Sequence, residues 1–295
     1  MTTPCSDASR ERDEPLEATA SRVERWLLVE QCGPWGPPSL PLARMPKLLA
    51  RHLTAEAARL HARLLLLRHP HGIECPPGRT VFVVDSTPGS ERVRRRSFTD
   101  DALAATMLPG PHDPDAAWAD DEGPLLLACT HGRHDRCCAV RGRPVALALS
   151  RRWPDRTWEC SHVGGDRFAA NVVVLPAGDY LGRLQPDRAV DLLEALLSGR
   201  VPVDVHRGQS SLPLPVQAAQ SFARSSLGRD RTDDLVPVGQ VGEGRDAWRV
   251  RLAGSADRPD VEVRVHLDRG AEPRLLTCGA TAPQAPPVFR CEPLP

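Results

Sequence analysis

Two short segments of this chain carry soft metal-binding residue types at close spacing: CTHGRHDRCC at 129–138 and ECSHVGGDRF at 159–168. Thiolate and imidazole are ligands that zinc and iron–sulfur clusters share. A 2Fe–2S rhomb needs two protein ligands on each iron; thiolates are usual, and a His pair on one iron is the known variation. Two ligand pairs on two loops meet that demand better than a mononuclear site does, although spacing alone leaves cluster and zinc both open. Gly132, Gly164 and Gly165 let the backbone come close to something bulky.

The elements that must position these loops are readable around them. Residues 125–128 form an apolar run that suits a buried strand. Residues 138–151 have a broadly helical pattern, weakened at the front by Gly142 and Pro144, so the regular helix is expected only from about Pro144. Residues 157–162 alternate like a strand, with Trp158, Cys160 and His162 on one face. A short helical turn is expected at 167–170, then strands at 171–175 and 180–184 around a turn at 176–179, then a helix at 186–198 stopped by Gly199. The order β-α-β-α-β-β-α is that of thioredoxin, at about its length. If the first two strands are parallel neighbours joined by the helix, both ligand loops emerge at one sheet edge.

The 295 residues leave room for more than this unit. Residues 1–20 are expected to be disordered by composition. An N-terminal α/β unit follows at 21–115, with strands at 26–30, 63–68 and 80–85 and a helix at 46–59. The thioredoxin-like unit spans 122–202. A small C-terminal α+β unit at 212–295 is expected to hold a helix at 215–227 and an antiparallel sheet with strands at 247–252, 261–267 and 274–278. The fold class is therefore α/β, a thioredoxin-like domain flanked by these two units. Lys+Arg and Asp+Glu balance at 38 each, so no positive field recommends nucleic acid or anionic lipid as a partner. No stretch approaches the ~20 apolar residues of a membrane span, and the front of the chain lacks the apolar core of a signal peptide. The expected compartment is the cytoplasm. Nine cysteines, an odd number, do not read as a secreted disulfide framework.

The segments LLLACTHGRHDRCCAVRG, ECSHVGGDRFAANVVVLPAGDYLGRL and HRGQSSLP resemble the sucrase/ferredoxin-like family, as do WLLVEQCGPWG near the front and TCG near the end. The resemblance covers nearly the whole chain and implies a thioredoxin-like ferredoxin domain with a 2Fe–2S cluster. In fungal members two Cys bind one iron, and two His of an HxGGH motif bind the other. Carried over, the two Cys fall on Cys129 and Cys138 and the first His on His162. The second His falls on Asp166, where this protein departs from the motif. The four-residue step from His162 favours Asp166 as fourth ligand; Cys160, water or another protein group is the alternative. A carboxylate in place of an imidazole adds negative charge, which disfavours adding an electron. The expected potential lies below that of two-His relatives and above that of all-Cys ferredoxins, with coupling near one proton per electron. The sugar chemistry in the family name finds no paired-carboxylate motif here.

Other residues read more plainly. Cys137 is a buried or spare thiol, His131 and His134 are solvated or hydrogen-bonded loop residues, and Asp135 organises its own loop. Cys5, Cys32, Cys75, Cys278 and Cys291 are scattered, with structural or incidental roles. Arg133, Arg136 and Arg167 are candidates to raise the cluster potential, and Arg207, in a domain-junction turn, is a candidate contact for a redox partner. The leading function is a 2Fe–2S electron carrier that exchanges electrons with a reductase or acceptor protein, with no catalytic residue assigned. The alternatives are a thiol or peroxide oxidoreductase on the same scaffold, and a zinc-stabilised interaction module.

Overall fold

The computed structural model describes residues 3–37, 42, 44–71 and 78–294; Cys75 lies outside them. Helix α1 (Cys5–Glu11) opens the chain, where composition led us to expect disorder through residue 20. Its Cys5, Ser6 and Ser9 are buried. Arg141 pairs with Asp7, and Arg183 Nη2 donates to the carbonyls of Ser9 (3.2 Å) and Glu14 (2.6 Å). These partners lie more than a hundred residues away, so a polar composition could not reveal them.

Strand β1 (Arg25–Glu30), helix α2 (Lys47–Arg59) and strand β2 (Ala62–Arg68) make a parallel β-α-β unit, extended by β3 (Arg79–Asp85), β4 (Arg92–Phe98) and the two-residue β5 (Ala119–Asp120). Helix α3 (Asp100–Ala105) follows β4, capped by the Thr99 hydroxyl. The second half contributes β6 (Leu125–Cys129), α4 (Arg136–Arg152), β7 (Thr157–Cys160), β8 (Val172–Leu175), β9 (Asp179–Leu181), α5 (Ala189–Leu197) and β10 (His206–Gln209). Strands β6 and β7 are parallel, and β8 and β9 add antiparallel to give the order β9-β8-β6-β7, a thioredoxin-like arrangement. The two halves share one ten-stranded sheet, joined where β2 meets β7 at Leu67↔Cys160 and Arg68↔Glu159.

Period-2 alternation divides the strands between two cores. Leu126 and Ala128 face α4 and α5, while Leu125, Leu127 and Cys129 join Trp26, Phe82, Trp158 and Tyr180 on the other side. Trp26 of β1 and Tyr180 of β9 come within 6.3 Å, ring to ring, across the intervening strands. The sheet therefore curls over this face, which holds Cys129, Cys138 and Cys160.

Helix α4 begins at Arg136, eight residues before the start expected at Pro144. Asp135 caps it, its Oδ1 accepting the Cys137 N–H at 2.8 Å. Gly142 does not break this helix: a Cβ there would collide with the Cys129 carbonyl. The glycine lets α4 lie directly on the end of β6.

The C-terminal part packs helix α6 (Leu214–Leu227) on an antiparallel sheet of β11 (Val236–Gly242), β12 (Ala247–Ala253), β13 (Val261–Asp268) and β14 (Val288–Pro293). Val216, Ala219 and Ala223 meet Val250, Leu252, Val263 and Val265. The sequence offered no signal for β11 and β14, which are largely exposed and so lack a buried alternation. The strand expected at 274–278 does not form: Arg274 makes only an isolated bridge to Gln284. That segment instead brings Cys278 to the start of α4, where its N–H donates to Asp135 Oδ2 at 2.6 Å. No helix among the described residues is long and apolar enough to cross a membrane.

Because Gly142 sits against the Cys129 carbonyl, Gly142→Ala is expected to destabilise the protein by about 1–3 kcal/mol. Gly239→Ala, where a Cβ meets open space, should stay within about 0.5 kcal/mol. Urea denaturation of both variants checks this.

Candidate metal centre

The loop after β7 is held from outside by its carbonyls. Arg63 Nη2 donates to the His162 carbonyl (2.9 Å), and Ser21 Oγ (3.0 Å) and Tyr180 OH (3.2 Å) donate to that of Val163. Arg207 Nη1 donates to the Gly164 carbonyl (3.1 Å), and Asn171 Nδ2 to that of Gly165 (2.9 Å). Gly164 and Gly165 have φ of +99° and +78°, a backbone that a side chain would strain. With its carbonyls turned outward, the loop presents the Val163 N–H to the Cys129 sulfur.

The loop after β6 turns back through Cys129–Cys138. His134 and Asp135 donate their N–H groups to the His131 carbonyl at 3.0 and 3.1 Å, which delivers Cys138 to the first turn of α4. The Sγ atoms of Cys129 and Cys138 and a ring nitrogen of His162 then lie within 4.8 Å of one another. Donor atoms of His134, His162 and Asp166 form a second such group, overlapping the first at His162. Cys138 Sγ donates to Asp166 Oδ1 at 3.0 Å. His162 Nδ1 is 2.9 Å from the same oxygen but off the line a hydrogen bond requires, so this buried nitrogen has no hydrogen-bond partner. His134 stacks on His162 with ring centroids 3.5 Å apart and places Nε2 3.4 Å from Asp166 Oδ2. Cys129, Cys138 and Asp166 are buried, whereas His162 and His134 keep about a fifth to a quarter of their side chains exposed. The site is thus closed on its sulfur side and open along a histidine edge.

The charges suit metal binding. Its contact with Cys138 pulls the Cys129 thiol well below its ordinary range; His162 and the Val163 N–H reinforce this against the cost of burial. The same contact, with burial, pushes Cys138 up, so the pair shares one proton and Cys129 is the thiolate. Burial opposes a charged His162, but Asp166 and Cys129 outweigh it and raise the ring to about 9. Burial likewise opposes the Asp166 carboxylate, but contacts from His134 and His162 hold it well below the usual carboxylate range. Burial lowers Arg207 to about 10, which leaves it a cation beneath the loop at neutral pH. An ionised thiolate and carboxylate flank a His162 ring that carries a proton at neutral pH; a soft or borderline cation binding here would displace that proton and the one on Cys138.

The family model for sucrase/ferredoxin-like proteins matches residues 16–208, well over half of the sequence. The chain belongs to that family. Among solved structures, a thioredoxin-like [2Fe–2S] ferredoxin from Aquifex aeolicus is similar to it at 20% identity, over 32% of this chain and 97% of that one, with a TM-score of 0.26. No curated protein matches the chain.

In this sucrase/ferredoxin-like protein, Cys129, Cys138, His162 and Asp166 come together as the two segments implied. Cys160 belongs to neither donor group; it lies in the curled core beside Trp158, its thiol pushed up by burial. His131 is buried, with Nε2 2.8 Å from the Gly36 carbonyl and its ring edge-on to Trp35. His134, read from the sequence as a loop residue of no special role, stands at the centre itself. Its distance from His162 in sequence hides a stack that only the meeting of two loops creates. Arg167 is committed to Glu14, its Nε 2.6 Å from the carboxylate, rather than turned on the site. Arg207, considered as a partner contact, is 1% exposed and cannot meet another protein.

Arg207 also donates to Asn171 Oδ1 (2.8 Å), Thr19 Oγ1 (3.0 Å) and the Thr19 carbonyl (2.5 Å), so its loss strands several buried acceptors. Arg207→Ala is expected to cost on the order of 3–5 kcal/mol. Arg133→Ala, at an exposed position of the first loop, should cost under about 0.5 kcal/mol by the same denaturation measurement.

Proposed function

We propose that this protein is a one-electron carrier holding a 2Fe–2S cluster, with Cys129 and Cys138 on one iron and His162 and Asp166 on the other. The observation that carries this reading is the pair of overlapping donor groups that share His162, with both thiols at one end and a carboxylate at the other. Four donors, two thiols from one loop and an imidazole and a carboxylate from the other, match the two-plus-two ligand demand of a two-iron cluster. When bound, such a cluster takes up and gives back a single electron.

The chain's own residues supply the rest. The Val163 N–H directed at the Cys129 sulfur and the buried Arg207 cation offset negative charge, which favours the reduced state. His134, stacked on His162 and close to Asp166, fixes the orientation of both. The exposed edge formed by His134 and His162 is the place for a redox partner, a reductase or an acceptor, to approach. We place the protein in the cytoplasm, where its cysteines would stay reduced and available to a metal. Cys137 stands apart from these donors, its sulfur 3.6 Å from that of Cys5 and 3.4 Å from that of Cys278.

Reconstituted protein is expected to contain about two irons and two acid-labile sulfides per chain, with visible absorption that bleaches on reduction. Zinc at this site without iron or sulfide would contradict the reading. With a single imidazole available for protonation, the potential should fall by about 59 mV per pH unit between the oxidised-state and reduced-state pKa values of His162. Asp166→His should raise the potential and steepen that slope toward two protons per electron. Protein-film voltammetry across pH measures both, and a two-proton slope in the unaltered protein would remove Asp166 from the ligand set.

A further inference from the structure

A second cluster of donors stands behind the first. Cys5 from α1, Asp135 and Cys137 from the start of α4, and Cys278 from the loop before β14 place one ligand atom each within 4.8 Å of all the others. Cys137 Sγ is 3.6 Å from Cys5 Sγ and 3.4 Å from Cys278 Sγ, and Cys5 Sγ is 3.6 Å from Asp135 Oδ2. A tetrahedral zinc ion with Zn–S of about 2.3 Å and Zn–O of about 2.0 Å sets S···S near 3.8 Å and S···O near 3.5 Å. The observed separations lie close to these values. We propose that Cys5, Cys137 and Cys278 with the Asp135 carboxylate form a structural zinc site, independent of the cluster-type centre.

Several features point the same way. The sulfurs receive hydrogen bonds, from the Cys5 N–H to Cys278 Sγ (3.4 Å) and from Ser6 Oγ to Cys137 Sγ (3.3 Å), as thiolates bound to a cation do. Asp135 is oriented by the N–H groups of Cys137 (2.8 Å) and Cys278 (2.6 Å). Arg141 Nε donates to Ser6 Oγ at 2.8 Å and steadies α1 from outside. A disulfide accounts for the cluster less well: it would leave one of three thiols over, and the sulfurs are well beyond the S–S bond length of about 2.05 Å. Cys5, Cys137 and Asp135 are buried while Cys278 is exposed, which gives the ion a path in. On binding, the three thiols release their protons to solvent and their sulfurs bond the metal, with no change of oxidation state. The ion would fasten the first helix and the C-terminal loop to the start of α4, one residue from Cys138.

Full-length protein expressed with zinc available is expected to carry about one zinc per chain by mass spectrometric metal analysis, whatever its iron content. Cys5→Ser/Cys278→Ser should lose that zinc while iron bound through Cys129 and Cys138 remains. Cys129→Ser/Cys138→Ser should lose iron and keep zinc. Cobalt loaded into the latter variant should show an intense thiolate-to-cobalt absorption, a readout that needs no folding of the first variant. Unaltered protein without zinc, zinc that departs with Cys129 and Cys138, or a Cys5–Cys137 disulfide in its place would overturn the assignment. Failure of the cluster reading would appear separately, as missing iron with zinc retained.

Discussion

The site rests on the outward anchoring of one loop. Consecutive carbonyls from His162 to Gly165 are each taken by a donor that lies outside the loop, on Arg63, Ser21 and Tyr180, Arg207 and Asn171. Buried carbonyls need such partners, and once they turn outward the opposite side of the loop is left to N–H groups and side chains. The positive φ of Gly164 and Gly165 makes the turn possible. The donors come from the N-terminal segment, β2, β9 and β10 and their surroundings, so the loop's shape depends on most of the large sheet rather than on the thioredoxin-like part alone. The merging of both halves into one curled sheet therefore has a consequence for the chemistry: Arg63 of β2 reaches the His162 carbonyl only because β2 pairs with β7.

The start of α4 is the other organising feature. Asp135 caps the helix, and the next turn sends Cys137 and Cys138 to opposite sides, one toward α1 and Cys278, the other toward Cys129 and Asp166. Two adjacent cysteines thus serve two environments. Gly142 brings the same helix onto the Cys129 carbonyl, so the first sulfur is fixed by backbone packing and the second by the cap. Tight placement of this kind is what keeps a metal's ligands at their working distances.

Much of this was legible in the sequence because it is local. Each ligand loop lies within a ten-residue segment, and apolar runs on either side mark strands β6, β7 and β8. The helix start at Arg136 was missed because Gly142 and Pro144 carry strong local penalties, and the contact that explains Gly142 is made with a residue of another element. Helix α1 and the grouping of Cys5, Cys137 and Cys278 were invisible for the same reason on a larger scale. Their residues are polar or scattered, and their partners stand up to 273 positions away in the chain. His134 belongs with them: its place was known, but not the loop that would stack against it.

In the proposed cluster, one loop supplies two thiolates to one iron and the other supplies a single imidazole and a carboxylate to its neighbour. Pulsed EPR of the reduced, reconstituted protein tests this most directly. It should reveal one strongly coupled nitrogen that disappears in His162→Cys while the cluster signal persists. A spectrum with no such nitrogen, with two of them, or with one that survives the substitution would contradict the account.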